Sequence, residues 1–274
     1  MNNNLIWSKA PLRLGLAGGG TDVSPFSESH GGCVLNSTIN LYSYATIEIL
    51  TKGEIIFESY DLGLSESFDL GEDIKEDGPL ILLKGVYNYL KVKYKLPDCS
   101  FHLSTFVDAP PGSGLGSSST LVVSIIGAFV EMHNLPLGEY EIAHEAYIVE
   151  RIKLGMAGGK QDQYAATFGG FNFIEFGEGD KVIVNPLRIK EEIINTLEVN
   201  LLLYFVGTSR VSSELIEKMQ ANVKQGNKKS VDSLLKVKEQ AILMKESLLT
   251  SNLKMFGKIL SSGWEHKKNI SSGI

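Results

Sequence analysis

The chain of 274 residues is 43% hydrophobic and 21% charged, a globular balance that excludes wholesale disorder. Its formal net charge of −6 excludes a surface built to attract a nucleic-acid backbone. The 28 glycines are clustered rather than periodic, which excludes a collagen-like chain and points to loops with special backbone demands.

The first half is predicted as strands separated by glycine loops. Residues 5–14 read as extended and are broken by the run Leu16-Ala-Gly-Gly-Gly-Thr-Asp. Residues 33–41 and 44–50 are rich in β-branched and aromatic side chains, and residues 54–60 follow as another strand. Residues 80–94 carry apolar side chains at helical spacing, and residues 100–107 return to alternation. The segment Pro110-Pro-Gly-Ser-Gly-Leu-Gly-Ser-Ser-Ser-Thr then leads into a helix, to about Met132, that is apolar on every side and so belongs at the centre of its domain. A second helix is predicted over 137–154 and a hairpin over 171–184. A strand over 199–206 and helices over 211–223, 230–249 and 252–262 complete the reading. A domain boundary is expected near 187–198, giving domains 1–190 and 191–274.

Charge is uneven. Residues 217–268 hold eleven lysines against five acids, +6 in all, which leaves −12 on the remainder. The plain reading of that stretch is a solvated basic helical face. Cys33 and Cys99 fit no metal spacing and suggest a reduced, cytoplasmic protein. The start of the chain lacks the pattern of a signal peptide, and the longest apolar run, 121–130, falls far short of the ~20 residues that span a bilayer. No nucleic-acid or membrane partner is expected, and a homodimer is compatible with the sequence.

Three clusters carry chemistry. In the first, Pro111, Gly112, Ser113, Gly114, Leu115 and Gly116 let the backbone curl with its N–H groups inward, and Ser117, Ser118 and Ser119 open a helix whose positive end favours phosphate. A glycine turn with a simple serine cap is the alternative. In the second, Arg13 lies in an apolar strand ahead of Gly20, Thr21 and Asp22; an aspartate beside glycines is equally a turn former. In the third, Glu150 ends a helix, where a carboxylate needs a cation, either a bound magnesium ion or a surface pairing with Arg151 or Lys153. Lys160 and Asp162 follow a glycine turn, placed for a substrate hydroxyl. A phosphate cradle, a metal carboxylate, a cation and an acidic group together meet the needs of phosphoryl transfer.

In their order, Pro11-Leu-Arg with Gly-Thr-Asp, then Pro-Pro-Gly-Ser-Gly-Leu-Gly-Ser-Ser-Ser, then Gly-Gly-Lys-Gln-Asp-Gln-Tyr resemble the GHMP small-molecule kinases. The resemblance covers roughly residues 5–210. It implies a two-domain α+β fold: an N-terminal mixed sheet with helices packed on it, then an α/β, ferredoxin-like domain. It further implies that ATP phosphates sit on the 111–119 loop, that Ser118 and Glu150 hold magnesium, and that Asp162 is the base. Arg13 is then the cation at the transferred charge, with Lys160 beside the base, and Thr21 and Asp22 grip sugar hydroxyls. Within the family the motifs are similar to the branch that phosphorylates heptoses and fucose at the anomeric hydroxyl. A heptose 7-phosphate is the leading acceptor, another sugar such as fucose the alternative, and a non-catalytic sugar or nucleotide sensor the reading of another class. An acceptor already carrying phosphate calls for a second anion site, for which Arg210 after Gly207-Thr-Ser is the candidate. The family's third glycine-rich motif is absent, and Ser271-Ser-Gly-Ile follows a helix where further strands are expected, so the second domain is read as incomplete.

Overall fold

The computed structural model describes residues 5–205, 212–268 and 270. They form β1 (Leu5–Ala17), α1 (Phe26–His30), β2 (Gly32–Ile49), β3 (Glu54–Ser59), β4 (Leu64–Asp69), α2 (Ile81–Tyr94), β5 (Phe101–Val107), α3 (Ser117–His133) and α4 (Glu139–Tyr147). A π-helical turn, Ile148–Lys153, extends α4. Then come α5 (Gln161–Phe168), β6 (Phe171–Phe176), β7 (Val182–Pro186), α6 (Glu191–Asn200), α7 (Ser212–Lys224), α8 (Lys228–Leu249) and α9 (Leu253–Lys267). The mixed α+β character agrees with the sequence.

Two compact units draw on alternating stretches of chain. The first holds residues 1–12, 39–156 and 162–167, the second 13–38, 157–161 and 168–274. The boundary expected near 190 falls inside the second unit.

In the first unit the later half of β2 pairs antiparallel with β5, Ser43 opposite Val107 and Ile49 opposite Phe101. β3 pairs parallel with β5 and antiparallel with β4. The parallel pairing needs a crossover, and α2 supplies it. α3 is buried because its sequence offers no polar face: Val122, Ile125, Ile126, Ala128 and Phe129 are fully enclosed. Phe129 meets Phe101 edge-on at 5.5 Å, and Phe101 meets Phe57 at 5.9 Å, joining the helix to the sheet.

In the second unit the first residues of β2 pair with β6, Gly32 opposite Phe176, and β6 pairs with β7. Cys33, Leu35 and Phe173 face a core completed by Ala241, Met244 and Leu248 of α8 and by Phe256 and Ile259 of α9. The basic stretch is less solvated than its charge suggests. Lys238 donates to the His30 carbonyl at 2.7 Å, and Lys245 lies 4.1 Å from the Phe173 ring centroid.

The strand expected over 199–206 does not form in its described part. Val199 and Asn200 close α6, and residues 201–205 are irregular. Strand propensity is realised only against a neighbouring strand, and Leu202, Leu203, Tyr204 and Phe205 are exposed. β4 is the strand the pattern missed, its Leu-Ser-Glu-Ser-Phe-Asp sequence being too polar to register as one, and the helices α1, α5 and α6 were not predicted either. No strand follows β7 among the described residues.

Candidate active site

The first unit carries the phosphate-loop cluster. Gly112, Gly114 and Gly116 all adopt left-handed backbone, with φ of 77°, 75° and 78°, which only glycine takes without strain. Gly116 is the N-cap of α3 and provides no side-chain cap, so no capping oxygen of its own occupies the helix end. The loop therefore has the features of an anion cradle rather than of a capped turn.

Glu150 is 1% exposed, so the pairing with Arg151 that the sequence offered as the alternative does form, as a buried ion pair rather than a surface one. Its Oε1 accepts from Ser118 Oγ at 2.5 Å, and its Oε2 accepts from Ser119 Oγ and Gln163 Nε2, each at 2.6 Å. Arg151 Nη1 stands 3.3 Å from Oε1. The π-helical turn aims Glu150 at α3, and a local widening of this kind re-aims a side chain without ending the helix. The three serines of the motif separate here. Ser119 is buried, and its hydroxyl also accepts from Arg151 at 3.2 Å and Gln163 at 3.1 Å, so it is committed to the protein. The Ser118 hydroxyl, among the described residues, bonds Glu150 alone. Adjacent hydroxyl and carboxylate oxygens beside a phosphate cradle suit a small hard cation, and Gln163 adds a buried, unpartnered Oε1. No group of three His, Cys, Asp or Glu side chains that could hold a metal occurs among the described residues, so any metal here needs oxygens from its ligand. Next to the loop a cavity of about 200 Å³ is lined by Pro79, Leu80, Leu83, Val107, Pro111 and Ser118, among others.

The second unit carries the other cluster. Asp22 is buried and serves as a remote cap for α5: its Oδ2 accepts from the Gln161 N–H at 3.1 Å, and its Oδ1 from Gln161 Nε2 at 3.3 Å and the Gly20 N–H at 3.1 Å. A side chain at Gly159 would overlap Asp22 Oδ2, so glycine is required there by close approach. The Thr21 hydroxyl donates to the Gly18 and Cys33 carbonyls at 2.8 and 2.9 Å and accepts from the Cys33 N–H at 3.1 Å. It staples the glycine loop to β2. A Cβ on Gly20 would meet Met219 Sδ at 3.3 Å, so that glycine backs onto α7.

Lys160 is buried with its ammonium 3.2 Å from the Gly179 carbonyl, 3.5 Å from Asp180 and 3.6 Å from Glu28. These contacts brace the turn between β6 and β7. Asp162 lies half-buried in the first turn of α5, where the helix dipole favours a carboxylate. Arg13 lies in β1. Arg210 lies outside the described residues. Gln161 and Gln163 belong to the third motif, but their tasks are not evident from the residues alone. Their alternation around Asp162 was the available signal: one holds Asp22, the other Glu150.

A glycine-rich loop leading into a helix without a side-chain cap, a buried carboxylate bonded to that helix and an acidic residue opening another helix are the kinds of element that phosphoryl transfer needs. This chain belongs to the GHMP kinase family. The GHMP kinases N terminal domain matches residues 82–170. The chain is 47% identical over 266 residues to the D-glycero-alpha-D-manno-heptose 7-phosphate kinase of Campylobacter jejuni, covering 97% of this chain and 78% of that protein. A crystal structure described as a D-glycero-D-manno-heptose 1-phosphate kinase from Bacteroides thetaiotaomicron superposes with a TM-score of 0.84 at 47% identity, over 96% of this chain and 79% of that one. A Campylobacter jejuni structure described as a putative sugar kinase gives 0.79 at 44% identity, over 98% and 77%. No described helix is long and apolar enough to cross a membrane.

Proposed function

We propose that the chain is an ATP- and magnesium-dependent kinase that phosphorylates the anomeric hydroxyl of D-glycero-D-manno-heptose 7-phosphate, giving the 1,7-bisphosphate. The observation that carries this reading is the Ser118–Glu150 contact at the uncapped start of α3. Arg151 and three hydrogen-bond donors offset part of the desolvation cost of this buried carboxylate, and a metal–nucleotide at the glycine loop would offset more. The names of the two 47%-identical relatives support a heptose phosphate as acceptor.

In this reading the N–H groups of 112–119 bind the ATP phosphates and the apolar cavity takes the base. Ser118 and Glu150 hold magnesium, which when bound neutralises charge between the phosphates. Asp162 accepts the proton of the anomeric hydroxyl as its oxygen bonds to the γ-phosphorus; the bond to the bridging oxygen breaks and ADP leaves. Arg13 stabilises the transferred charge. Thr21, Asp22 and Lys160 act by fixing the loops rather than by touching the reacting atoms, and Arg210 is a candidate for the acceptor's phosphate. Residues 1–190 would carry the ATP site and the groups at the sugar's reacting hydroxyl, with the acceptor's phosphate met from residues beyond 190.

The test is ADP release with heptose 7-phosphate, free heptose, fucose, galactose and mannose, and phosphorus NMR of the product. The highest kcat/KM is expected with heptose 7-phosphate, and the new phosphate on the anomeric carbon. Sugar and nucleotide binding without turnover would favour the sensor instead.

A further inference from the structure

The last residue of α9, Lys267, does not follow the solvated face of its helix. Its side chain runs along the wall of a cavity of about 230 Å³ between β1 and the α8–α9 pair, whose lining is mostly apolar, Leu16, Val237, Met244, Ile259 and Trp264 with Gln240 among them. Its Nζ emerges at the glycine loop. A Cβ placed on Gly19 would meet Lys267 Nζ and Gln161 Nε2, each at 3.6 Å, so two N–H donors converge on the open face of that glycine. No hydrogen bond or ion pair engages the ammonium among the described residues.

Lys267 interacts electrostatically with Arg13 and with Asp22. The Asp22 oxygens already accept three N–H groups from Gly20 and Gln161. Burial and the nearby guanidinium of Arg13 push the Lys267 ammonium below its ordinary value, against the opposing pull of Asp22. An anion arriving there would relieve both strains.

We propose that Lys267, with Gln161 Nε2 beside it, forms an anion subsite for the phosphate that the acceptor sugar already carries. An ammonium is a point charge with three donors and binds a phosphate monoester without demanding bidentate geometry. This assignment rests on the sugar-phosphate kinase reading above and deepens it: it makes discrimination between a sugar phosphate and a free sugar a property of α9.

The experiment compares wild type, Lys267→Met and Lys267→Arg. Calorimetric titration with heptose 7-phosphate and with free heptose is read beside the KM for each sugar and for ATP. Lys267→Met is expected to weaken heptose 7-phosphate about tenfold or more relative to free heptose, with Lys267→Arg recovering most of the difference. Equal weakening of both sugars, or no change, overturns the subsite. A rise confined to the KM for ATP also overturns it, by placing Lys267 at the transferred phosphoryl group. Should wild type turn over no sugar, the kinase reading fails by itself. The subsite then stands if Lys267→Met still loses heptose 7-phosphate binding selectively, and falls if it does not.

Discussion

Ser118 Oγ donates to Glu150 Oε1 at 2.5 Å, joining the first turn of α3 to a π-helical turn thirty-two residues along the chain. The pair sits where the glycine loop ends. Ser119, its neighbour, bonds the other carboxylate oxygen but also receives Arg151 and Gln163. Adjacent serines therefore have different duties.

Those duties predict different phenotypes. Glu150→Gln should lower kcat/KM about a hundredfold or more, and Ser118→Ala about tenfold, both raising the magnesium concentration needed for half-maximal activity. Ser119→Ala should instead lower stability by about 1–2 kcal/mol, because it removes a buried hydroxyl that accepts from Arg151 and Gln163 and donates to Glu150. Magnesium titrations and urea melts of the three variants separate the roles. An unchanged magnesium requirement in Glu150→Gln would remove the metal from this site.

Asp162 opens α5 between two glutamines that each hold a carboxylate, so its backbone is fixed from both sides. Asp162→Asn keeps the shape and removes the base. Its kcat should fall by about 10²–10⁴ while KM for ATP moves only a few-fold. Steady-state kinetics at saturating sugar provide the check; a kcat near wild type would exclude Asp162 as the proton acceptor.

Gly159 is required because the Asp22 carboxylate occupies the space of a side chain. Gly159→Ala should cost about 1–3 kcal/mol, since the carboxylate must move off the start of α5. The cause can be tested by a double-mutant cycle with Asp22→Ala. If the overlap is responsible, the two losses couple by about 1 kcal/mol or more, and simple additivity would point elsewhere.

Glu145 is a buried carboxylate away from the site, held by Lys93 and Tyr89 at 2.5 Å each and by Tyr94 at 3.0 Å. Burial by itself would raise its pKa, but the three donors outweigh it and hold the carboxyl below its ordinary value, while Tyr94 is pushed up to about 12. A depressed folded-state pKa means that the stabilisation is present above the unfolded carboxylate range and fades as pH falls through the folded value. Glu145→Gln should therefore cost about 1–2 kcal/mol near pH 7 and much less near pH 3. Urea melts at the two pH values measure the difference; an equal loss at both would mean that packing, not charge, is at stake.

Much of this was legible in the sequence for local reasons. The uniformly apolar stretch after Ser119 had to be a buried helix, the 112–116 glycines had to bend the backbone, and the order of three motifs sufficed for the family. Residues 201–205 misled, because their leucine and aromatic character promises a strand only when another strand lies beside it. The division of labour within each motif was not legible. That Ser119 is bonded on several sides while Ser118 bonds Glu150 depends on where Arg151 and Gln163 reach, and that Thr21 staples its loop depends on Cys33 on β2. Lys267 is the clearest case. In the sequence it is one lysine of eleven in a basic stretch, and nothing local distinguishes it from its neighbour Lys268. The sequence by itself determined which chemistry the glycine loops could hold, since backbone freedom and helix ends are properties of short segments. Tertiary structure alone decided which polar groups were left over to do it, since a hydrogen-bonding group becomes available only when no other part of the fold has already satisfied it.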